Sequence, residues 1–504
     1  MPNRPQRLAL ALAGTALAAA CGTTVPITTT VAGDGVTAPG DLGGGATSTG
    51  SSSTGAVTLP GSTSGGSTGT VLNGTTSGGS GPLGVTPTKG AIALPSTGGK
   101  AGPAGSASGV TPTTIKVGVY TVQAFSSFGS SLGINVATGD QAAMAKAFVT
   151  YLNAHGGIAG RRIVPVFHDF DVSKSGNPDS EYAAACAAWT QDDHVYAVVS
   201  PVGTVTDSLT QCLSKKGVVT ISAGDSNDAS FFQKYGTWYY QPTDLNLDRI
   251  LTNSVDGLFA AGFFGAKPKI GVLMIDKPAE KRAVDQSLKP ALARHGLKLD
   301  ASFAVTNGGS DATSFSSAVL RFKAAGITHV LFTFASPLLF MTNADTQKYY
   351  PRYGLHSRTS PAALLQGNAP AKQQRNAMGV GWQPMNDVDQ AHDPGAISAR
   401  QTQCLKILRD AGQTNSGSRA ADLVGLWFCD DFFFLRDALA KAPVFGVAGL
   451  KQGAESLGSQ GIGSTFRSRL VPGGLHDGAS AYRLFAFKDD CACYQYVSAL
   501  KPAS

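Results

Sequence analysis

The chain has 504 residues, and the first of its 24 Phe, 13 Tyr and 4 Trp is Tyr120. A long segment without aromatic side chains does not form an ordinary hydrophobic core, so we expect the folded part to begin at about residue 113. The net charge is +7 and only 14% of the residues are charged, which argues against a nucleic-acid-binding protein.

Residues 1–21 have the pattern of a secretory signal peptide, with a basic start and an apolar run over 8–20. The run is too short to cross a bilayer core ~30 Å thick as a stable helix. It ends on small residues before Cys21, which resembles a bacterial lipobox with Ala18 in place of the usual Leu. We therefore expect lipidation of Cys21, with acyl chains that hold the protein on the outer face of the cell membrane. A plain signal peptide with an incidental cysteine is the alternative.

Residues 22–110 are rich in Gly, Ser, Thr, Ala and Pro and carry few charges. Such a composition buries little apolar surface, and it predicts a disordered tether. A flexible segment of this length has an r.m.s. end-to-end distance of roughly 50 Å. We interpret it as a spacer between the membrane and the folded part.

Strand and helix patterns alternate from residue 114 onward. The first set predicts strands at 114–120, 162–168, 195–199 and 218–221 and helices at 139–155, 179–191 and 206–216. This alternation indicates a parallel sheet with helices on both faces.

The pattern then starts again. The second set predicts strands at 270–275, 297–305 and 330–334 and helices at 279–295 and 314–325. Two long helices at 397–411 and 421–440 and a closing strand pair at 485–488 and 494–497 are predicted after it. Two such sets predict two similar lobes with a cleft between them. Ligands of open parallel sheets bind at the carboxyl ends of the strands, and a cleft between lobes closes by hinge motion.

The cysteines other than Cys21 indicate export to an oxidising compartment. The expected disulfide pairs are Cys186 with Cys212, Cys404 with Cys429, and Cys491 with Cys493. Each of the first two pairs lies on two consecutive predicted helices, whereas the last pair is one residue apart and would close a strained ring. No C-x-x-C motif and no neighbouring histidine in the sequence indicates a zinc site.

Two stretches carry a resemblance to a known family. They are Gly109-Val-Thr-Pro-Thr-Thr-Ile-Lys-Val-Gly-Val119 and Tyr151-Leu-Asn-Ala-His-Gly-Gly-Ile-Ala-Gly-Arg-Arg-Ile163. These stretches resemble the extracytoplasmic solute-binding proteins of branched-chain amino-acid and amide ABC importers, of the leucine/isoleucine/valine-binding type. The resemblance extends over about 110–500 and implies an α/β protein with the type I periplasmic-binding fold.

That fold consists of two Rossmann-like lobes joined by three hinge crossovers. The resemblance implies that 111–240 and 383–478 form lobe one, and that 241–382 and 479–504 form lobe two. We expect the signal peptide and the tether to precede them.

The resemblance also implies a ligand site. Family members hold the ligand's carboxylate with hydroxyls and backbone N–H groups of two lobe-one loops, and the matching hydroxyls here belong to Thr204, Thr206 and Ser226. Donors at helix N-termini suit an anion because their N–H groups lack partners. Tyr120 and Phe125, at the end of the first strand and on its loop, are expected lid contacts. Alternatively, the three hydroxyl residues only cap helices.

Lobe two departs from the amino-acid-binding pattern. The loop that usually offers an acidic residue to the ligand's ammonium reads Thr359-Ser-Pro-Ala362, and Ser336 stands where an aromatic residue usually covers the ligand. Lys277 and Glu280 occupy the loop after the first strand of the second set. A buried ammonium needs a compensating charge, which places an α-amino-acid ligand in doubt unless Asp225 supplies it.

We therefore expect a monomeric, lipid-anchored extracytoplasmic protein that captures a small polar solute, such as an amino acid or amide, and delivers it to an ABC-type permease. No cofactor, metal or nucleic acid is expected. One alternative is a ligand-sensing domain for a signalling partner. The other is a serine hydrolase using Ser131 in Gly129-Ser-Ser-Leu-Gly133, although this motif lies in a predicted loop and not between a strand and a helix as a nucleophile elbow requires.

Overall fold

The computed structural model describes residues 103–122, 138–170, 178–200, 207–224, 227–306, 312–414 and 419–504. Within these residues the strands form two sheets, one of five strands and one of eight. No described helix is long and apolar enough to span a membrane.

The first sheet is parallel throughout, with strand order β2-β1-β3-β4-β5. Its strands are β1 (Thr114–Thr121), β2 (Arg162–Asp169), β3 (Ala197–Ser200), β4 (Val219–Ser222) and β5 (Tyr239–Tyr240). The connecting helices are α1 (Gln141–Ala154), α2 (Pro178–Ala187), α3 (Asp207–Lys215) and α4 (Ala229–Tyr235). A π-helical turn, Ala188–Asp192, extends α2. The predicted parallel sheet is thus confirmed.

Helices cover both faces of the first sheet. Successive side chains of a strand point to opposite faces, so neighbouring residues pack against different helices. Val199 of β3 belongs to the same buried cluster as Phe148 of α1. Its neighbour Val198 belongs to a second cluster, with Trp189 and Leu209. The buried strands are therefore apolar on both sides.

The second sheet has the order β12-β11-β10-β9-β8-β6-β7, with β13 paired to β11. Its strands are β6 (Ile270–Ile275), β7 (Leu299–Val305), β8 (His329–Phe332), β9 (Arg352–His356), β10 (Met378–Gly381), β11 (Ala481–Lys488), β12 (Cys493–Tyr496) and β13 (Lys501–Pro502). Strands β6 to β10 are parallel, and β11 runs antiparallel to β10, β12 and β13. The closing strand pair is present as expected.

Helices also cover both faces of the second sheet. They are α5 (Leu247–Ala260), α6 (Pro278–Ala283), α7 (Lys289–Arg294), α8 (Ala312–Ala324), α9 (Pro337–Thr346), α10 (Pro361–Gln366), α11 (Ala371–Gln374) and α12 (Pro384–Asp387). A π-helical turn, Val284–Leu288, joins α6 to α7, so the helix predicted at 279–295 is continuous.

Three later helices return to the first sheet: α13 (Ala399–Asp410), α14 (Arg419–Lys441) and α15 (Val447–Glu455). Leu408 of α13 and Phe432 of α14 are fully buried in the same cluster as Phe148. The first core is therefore built from two separate parts of the chain, as the type I periplasmic-binding fold requires.

The chain passes between the two sheets three times, after β5, after β10 and before β11, and these crossings lie side by side. Gln241 N donates a hydrogen bond to His476 O, and Gly478 N donates to Gln241 O, both at 2.8 Å. Trp382 Nε1 donates to Asp244 Oδ1 at 2.7 Å. The lobe boundaries expected from the sequence, after residues 240, 382 and 478, stay a prediction.

Three disulfides join the expected cysteines. Cys186–Cys212 connects α2 to α3, Cys404–Cys429 connects α13 to α14, and Cys491–Cys493 lies at the start of β12. Consecutive helices on one face of a sheet are adjacent in space, which explains the first two pairs.

Gly354 in the middle of β9 has no room for a side chain. An added Cβ would collide with Leu331 of β8 and lie 2.8 Å from Leu258 Cδ1 of α5. We expect Gly354→Ala to lower the free energy of unfolding by about 1–2 kcal/mol, because overpacking of about 1–3 kcal/mol exceeds the entropic gain from a stiffer unfolded chain. Urea denaturation measures this change.

Two controls accompany this substitution. Gly354→Ser adds one more atom at the same place and is expected to cost at least as much. Ser302→Ala on the exposed side of β7 is expected to change stability by less than about 0.5 kcal/mol. An alanine variant as stable as the unsubstituted protein would contradict the close packing of β9 against α5.

Candidate functional site

The carboxyl end of one strand from each sheet, β4 of the first and β9 of the second, comes close to one side chain, Arg358. This residue follows β9 in the second sheet, and its Nη2 donates a hydrogen bond to Gly224 O at 3.0 Å. Gly224 lies two residues beyond the end of β4 in the first sheet. We call this region, formed by Gly224, Asp244, Phe334, Arg358 and Trp427, the strand-end site.

Aromatic residues that pack with each of the two sheets lie beside the Arg358 guanidinium. Its central carbon lies 5.6 Å from the ring centroid of Trp427, which is on α14 and packs with the first sheet. The same carbon lies 5.5 Å from the ring centroid of Phe334, just after β8 of the second sheet. Arginine is favoured at the faces of aromatic rings because their π electrons attract a cation. The site therefore holds a cation between two aromatic walls.

A buried carboxyl group lies beside this cation. Asp244 has no exposed surface, and its Oδ2 is 3.3 Å from Arg358 Nε. Its Oδ1 accepts hydrogen bonds from Leu245 N at 2.8 Å and Trp382 Nε1 at 2.7 Å. Burial raises the pKa of Asp244 to about 7, against the opposing effect of Arg358. Near neutral pH the carboxyl group therefore neutralises the guanidinium only in part.

Gly224 allows Arg358 and Asp244 to approach the end of β4. Its φ of +154° is one that side chains rarely adopt, and an added Cβ would collide with the Asp244 carboxyl group. Glycine is thus required for the backbone to pass so close to the ion pair.

His356, at the end of β9, is a second buried titratable group near the site. Its Nε2 lies 3.2 Å from Phe332 O, and its ring stacks at 6.1 Å from the Trp382 ring. Burial lowers the pKa of His356 to about 4, so the ring is neutral at physiological pH. It positions the end of β9 next to Arg358 without adding charge.

Several predicted residues lie outside the described parts of the chain. They are Cys21, Phe125, Ser131, Thr204, Thr206, Asp225 and Ser226. Lipidation of Cys21 and ligand contacts from the others stay predictions.

The structure places the remaining predicted residues in packing and helix-terminal positions. Tyr120 is 1% exposed, and its ring packs against Phe170 and Trp189 in the core. Ser336 caps α9, where its Oγ accepts a hydrogen bond from Leu339 N at 3.4 Å. Contact of either residue with a ligand stays a prediction.

Lys277 and Glu280 lie at the start of α6 and differ in exposure. Lys277 is exposed at the N-cap position. Glu280 is fully buried, and its Oε2 accepts hydrogen bonds from Ile275 N at 2.7 Å and from Thr333 Oγ1. Burial raises the pKa of Glu280. Its contacts tie α6 to the ends of β6 and β8, so its visible role is structural.

Comparisons with known proteins agree with the fold. A family described as periplasmic binding protein matches residues 114–391. No curated protein matches the chain.

Solved structures of ABC transporter proteins have a similar fold. A substrate-binding protein from Desulfitobacterium hafniense in complex with Leu is 14% identical, with a TM-score of 0.53 over 76% of this chain and 100% of its own. A solute-binding protein from Rhodopseudomonas palustris HaA2 in complex with p-hydroxybenzoic acid is 12% identical, with a TM-score of 0.59 over 78% and 98%. A possible leucine/isoleucine/valine-binding protein from Rhodopirellula baltica SH 1 is 15% identical, with a TM-score of 0.56 over 77% and 96%.

Proposed function

The chain belongs to the periplasmic binding protein family, and from that premise we propose that it captures a small carboxylate solute at the strand-end site and delivers it to an ABC importer. Proteins of this kind are the extracytoplasmic solute-binding components of ABC transporters and are not enzymes. The choice of solute rests on this chain's own residues, Arg358 above all.

The Arg358 guanidinium is the observation that carries the proposal. A guanidinium presents its N–H donors in a planar fork that matches a carboxylate. Here it is 13% exposed and stands where the strand ends of both sheets meet. Gly224, which accepts its hydrogen bond, directly precedes the predicted ligand residues Asp225 and Ser226 in the chain. A solute carboxylate bound there would contact both halves of the protein and favour their closed arrangement.

The aromatic walls favour a solute with an apolar body. Trp427 and Phe334 both face Arg358, so a solute whose carboxylate meets the guanidinium would place its remaining atoms near these rings. The Leu and p-hydroxybenzoic acid of the two similar structures both carry a carboxylate. No side chain of 359–362 can balance an ammonium group, which favours carboxylates without one.

A thermal-shift screen of the full chain tests the proposal. The screen includes aliphatic and aromatic carboxylates, with amino acids, amides and short peptides as competing classes. A solute at 100 times its Kd stabilises a one-site protein by about 2.7 kcal/mol, which raises the melting temperature. We expect carboxylates without an ammonium group to give the largest shifts.

Two arginine variants assign the binding site. Arg358→Gln removes the cation and is expected to weaken binding of the best carboxylate at least tenfold in calorimetric titration, a loss of about 1.4 kcal/mol. Arg352→Gln is the matched control, because Arg352 lies at the opposite end of β9 and also stacks on an aromatic ring, that of Phe263. Equal binding by the Arg358 variant, or shifts only with uncharged solutes, would contradict the proposal.

The remaining expectations from the sequence belong to the same proposal. Lipidation of Cys21 would hold the protein at the membrane, and the 22–110 tether would let the folded part reach its permease. A monomer is expected. These three features rest on the sequence patterns alone.

A further inference from the structure

A cluster of two cysteines and a histidine lies at the start of β12, the edge strand of the second sheet. It consists of Cys491, Cys493 and His392. The two sulfur atoms and one imidazole nitrogen all lie within 4.8 Å of one another. His392 Nε2 is 3.6 Å from Cys493 Sγ, although the two residues are 101 positions apart in the chain. Sequence spacing had indicated no histidine near these cysteines, and the fold supplies one.

The His392 ring is oriented as metal-binding histidines usually are. Its Nδ1 lies 2.8 Å from Asp389 Oδ1, so Nδ1–H donates to the carboxylate, and Nε2 faces Cys493 Sγ. A carboxylate behind the second ring nitrogen fixes the tautomer of most histidine ligands. Asp389 is itself held by hydrogen bonds from the Ala391 and His392 backbone N–H groups.

The distance between donor atoms fits a tetrahedral metal ion. Zn²⁺ binds cysteine sulfur at about 2.3 Å and histidine nitrogen at about 2.1 Å, which places the two ligand atoms about 3.6 Å apart at a tetrahedral angle. His392 Nε2 and Cys493 Sγ are separated by 3.6 Å. The second cysteine, Cys491, is on an exposed turn, where its side chain has space to rotate.

The Cys491–Cys493 disulfide is also more accessible to a reductant than the other two. Cys491 is exposed, whereas Cys212 is partly exposed and Cys186, Cys404 and Cys429 have no exposed surface. Thiol–disulfide exchange requires direct attack of a thiolate on a sulfur atom, so access controls which bond reacts. A dithiol should therefore open this disulfide first.

We propose that reduction of the Cys491–Cys493 disulfide by a dithiol converts the cluster into a Zn²⁺ site. The dithiol attacks Cys491 Sγ and releases Cys493 as a thiolate, and its second thiol then releases Cys491 and leaves a cyclic disulfide. Two electrons pass from the dithiol to the cysteine pair. Both cysteine thiolates and His392 Nε2 bind the metal with a water molecule as fourth ligand, and thiol protons are released.

Cobalt binding to the full chain tests the proposal. The protein is treated with dithiothreitol, freed of it without air, and assayed for thiols before Co²⁺ is added. We expect two more free thiols per chain than before the treatment, and a sulfur-to-cobalt charge-transfer band that Zn²⁺ abolishes. The oxidised protein should give no band.

Variants identify the ligands. Replacing both cysteines with serine, C491S with C493S, should abolish the band, and His392→Gln should weaken Co²⁺ binding at least tenfold. His295→Gln is the matched control, because His295 Nε2 also lies 2.7 Å from an aspartate oxygen, that of Asp256, and the structure shows no cysteine beside it among the described residues. This variant should bind like the parent.

Three outcomes would overturn the proposal. One is a reduced chain that has gained two thiols and shows no cobalt band. Another is a band that persists in the double serine variant or is unchanged by His392→Gln. The third is reduction that opens either of the other two disulfides before the Cys491–Cys493 bond. The cobalt site lies at β12, the edge strand of the second sheet, whereas Arg358 follows β9. A defect in solute binding at Arg358 would therefore leave cobalt binding unaffected.

Discussion

Replacing Asp430 with alanine is expected to lower the free energy of unfolding by roughly 3–5 kcal/mol, because three buried hydrogen-bond donors lose their acceptor. Asp430 on α14 is 3% exposed. Its Oδ1 accepts a hydrogen bond from Gly463 N at 2.6 Å, and its Oδ2 accepts from Ser464 N at 2.8 Å and Ser464 Oγ at 2.7 Å. Alanine would leave these donors buried without an acceptor, at about 1–3 kcal/mol each.

The loss should extend beyond the helix, because the anchored segment supports one of the crossings between the sheets. Thr465 Oγ1 donates a hydrogen bond to Trp382 O at 2.7 Å, and Phe466 N donates to the same oxygen at 3.1 Å. Trp382 in turn contacts Asp244 in the strand-end site. Asp430 therefore connects α14 to the segment that holds the crossing after β10.

Urea denaturation of the disulfide-intact chain, followed by tryptophan fluorescence, measures the loss. Asp410→Ala is the control, because Asp410 is 62% exposed and pairs with Lys406 on the surface of α13. Such surface pairs contribute about 0.3–0.5 kcal/mol. A similar, small loss for both variants would contradict the anchoring role of Asp430.

The second large effect is a pH dependence that Asp387→Asn should remove. Asp387 on α12 has no exposed surface, and its Oδ2 accepts a hydrogen bond from Tyr496 Oη at 2.7 Å. Burial raises the pKa of Asp387 to about 8, although Tyr496 and Arg419 favour the charged form. The folded protein thus keeps this carboxyl group protonated at neutral pH.

The sign of the effect follows from proton binding. An unfolded aspartate has a pKa of about 3.9, so between pH 4 and 8 the unfolded state releases a proton that the folded state retains. The stabilisation by this proton is complete below pH 4 and is lost as the pH rises through 8. Between pH 4 and 8, each increase of one pH unit lowers the free energy of unfolding of the parent protein by up to about 1.4 kcal/mol relative to Asp387→Asn, whose amide does not titrate.

Stability curves of both proteins from pH 4.5 to 8.5 measure this effect. The comparison at each pH cancels the titration of other buried groups, such as Asp244 and His356. Asp489→Asn, in the turn between β11 and β12, is the control, because the Asp489 side chain is 66% exposed. We expect the difference between parent and Asp387→Asn to grow in favour of the variant with pH. A constant difference would contradict a raised pKa.

Local patterns predicted much of the fold because strands, helices and caps depend on residues near one another. The strand predicted at 114–120 is β1, and the helix predicted at 279–295 is the α6–α7 segment. Helix α5 was missed although its start carries a readable cap, with Asn246 Oδ1 accepting from Arg249 N at 3.0 Å. Strand β10 was missed because its Met-Gly-Val-Gly sequence has little strand propensity, and pairing with its neighbours stabilises it.

The sequence by itself determined the alternation of strands and helices, the two sets that become two sheets, and the disulfide partners on consecutive helices. Only the tertiary structure decided which side chains meet. Arg358 directly precedes the 359–362 loop, where the resembled family usually has a ligand-binding acid, yet its partner Gly224 is 134 residues away. His392 and Cys493 are 101 residues apart. Such contacts depend on how the sheets pack and where the crossings lie, and short-range patterns carry no information about either.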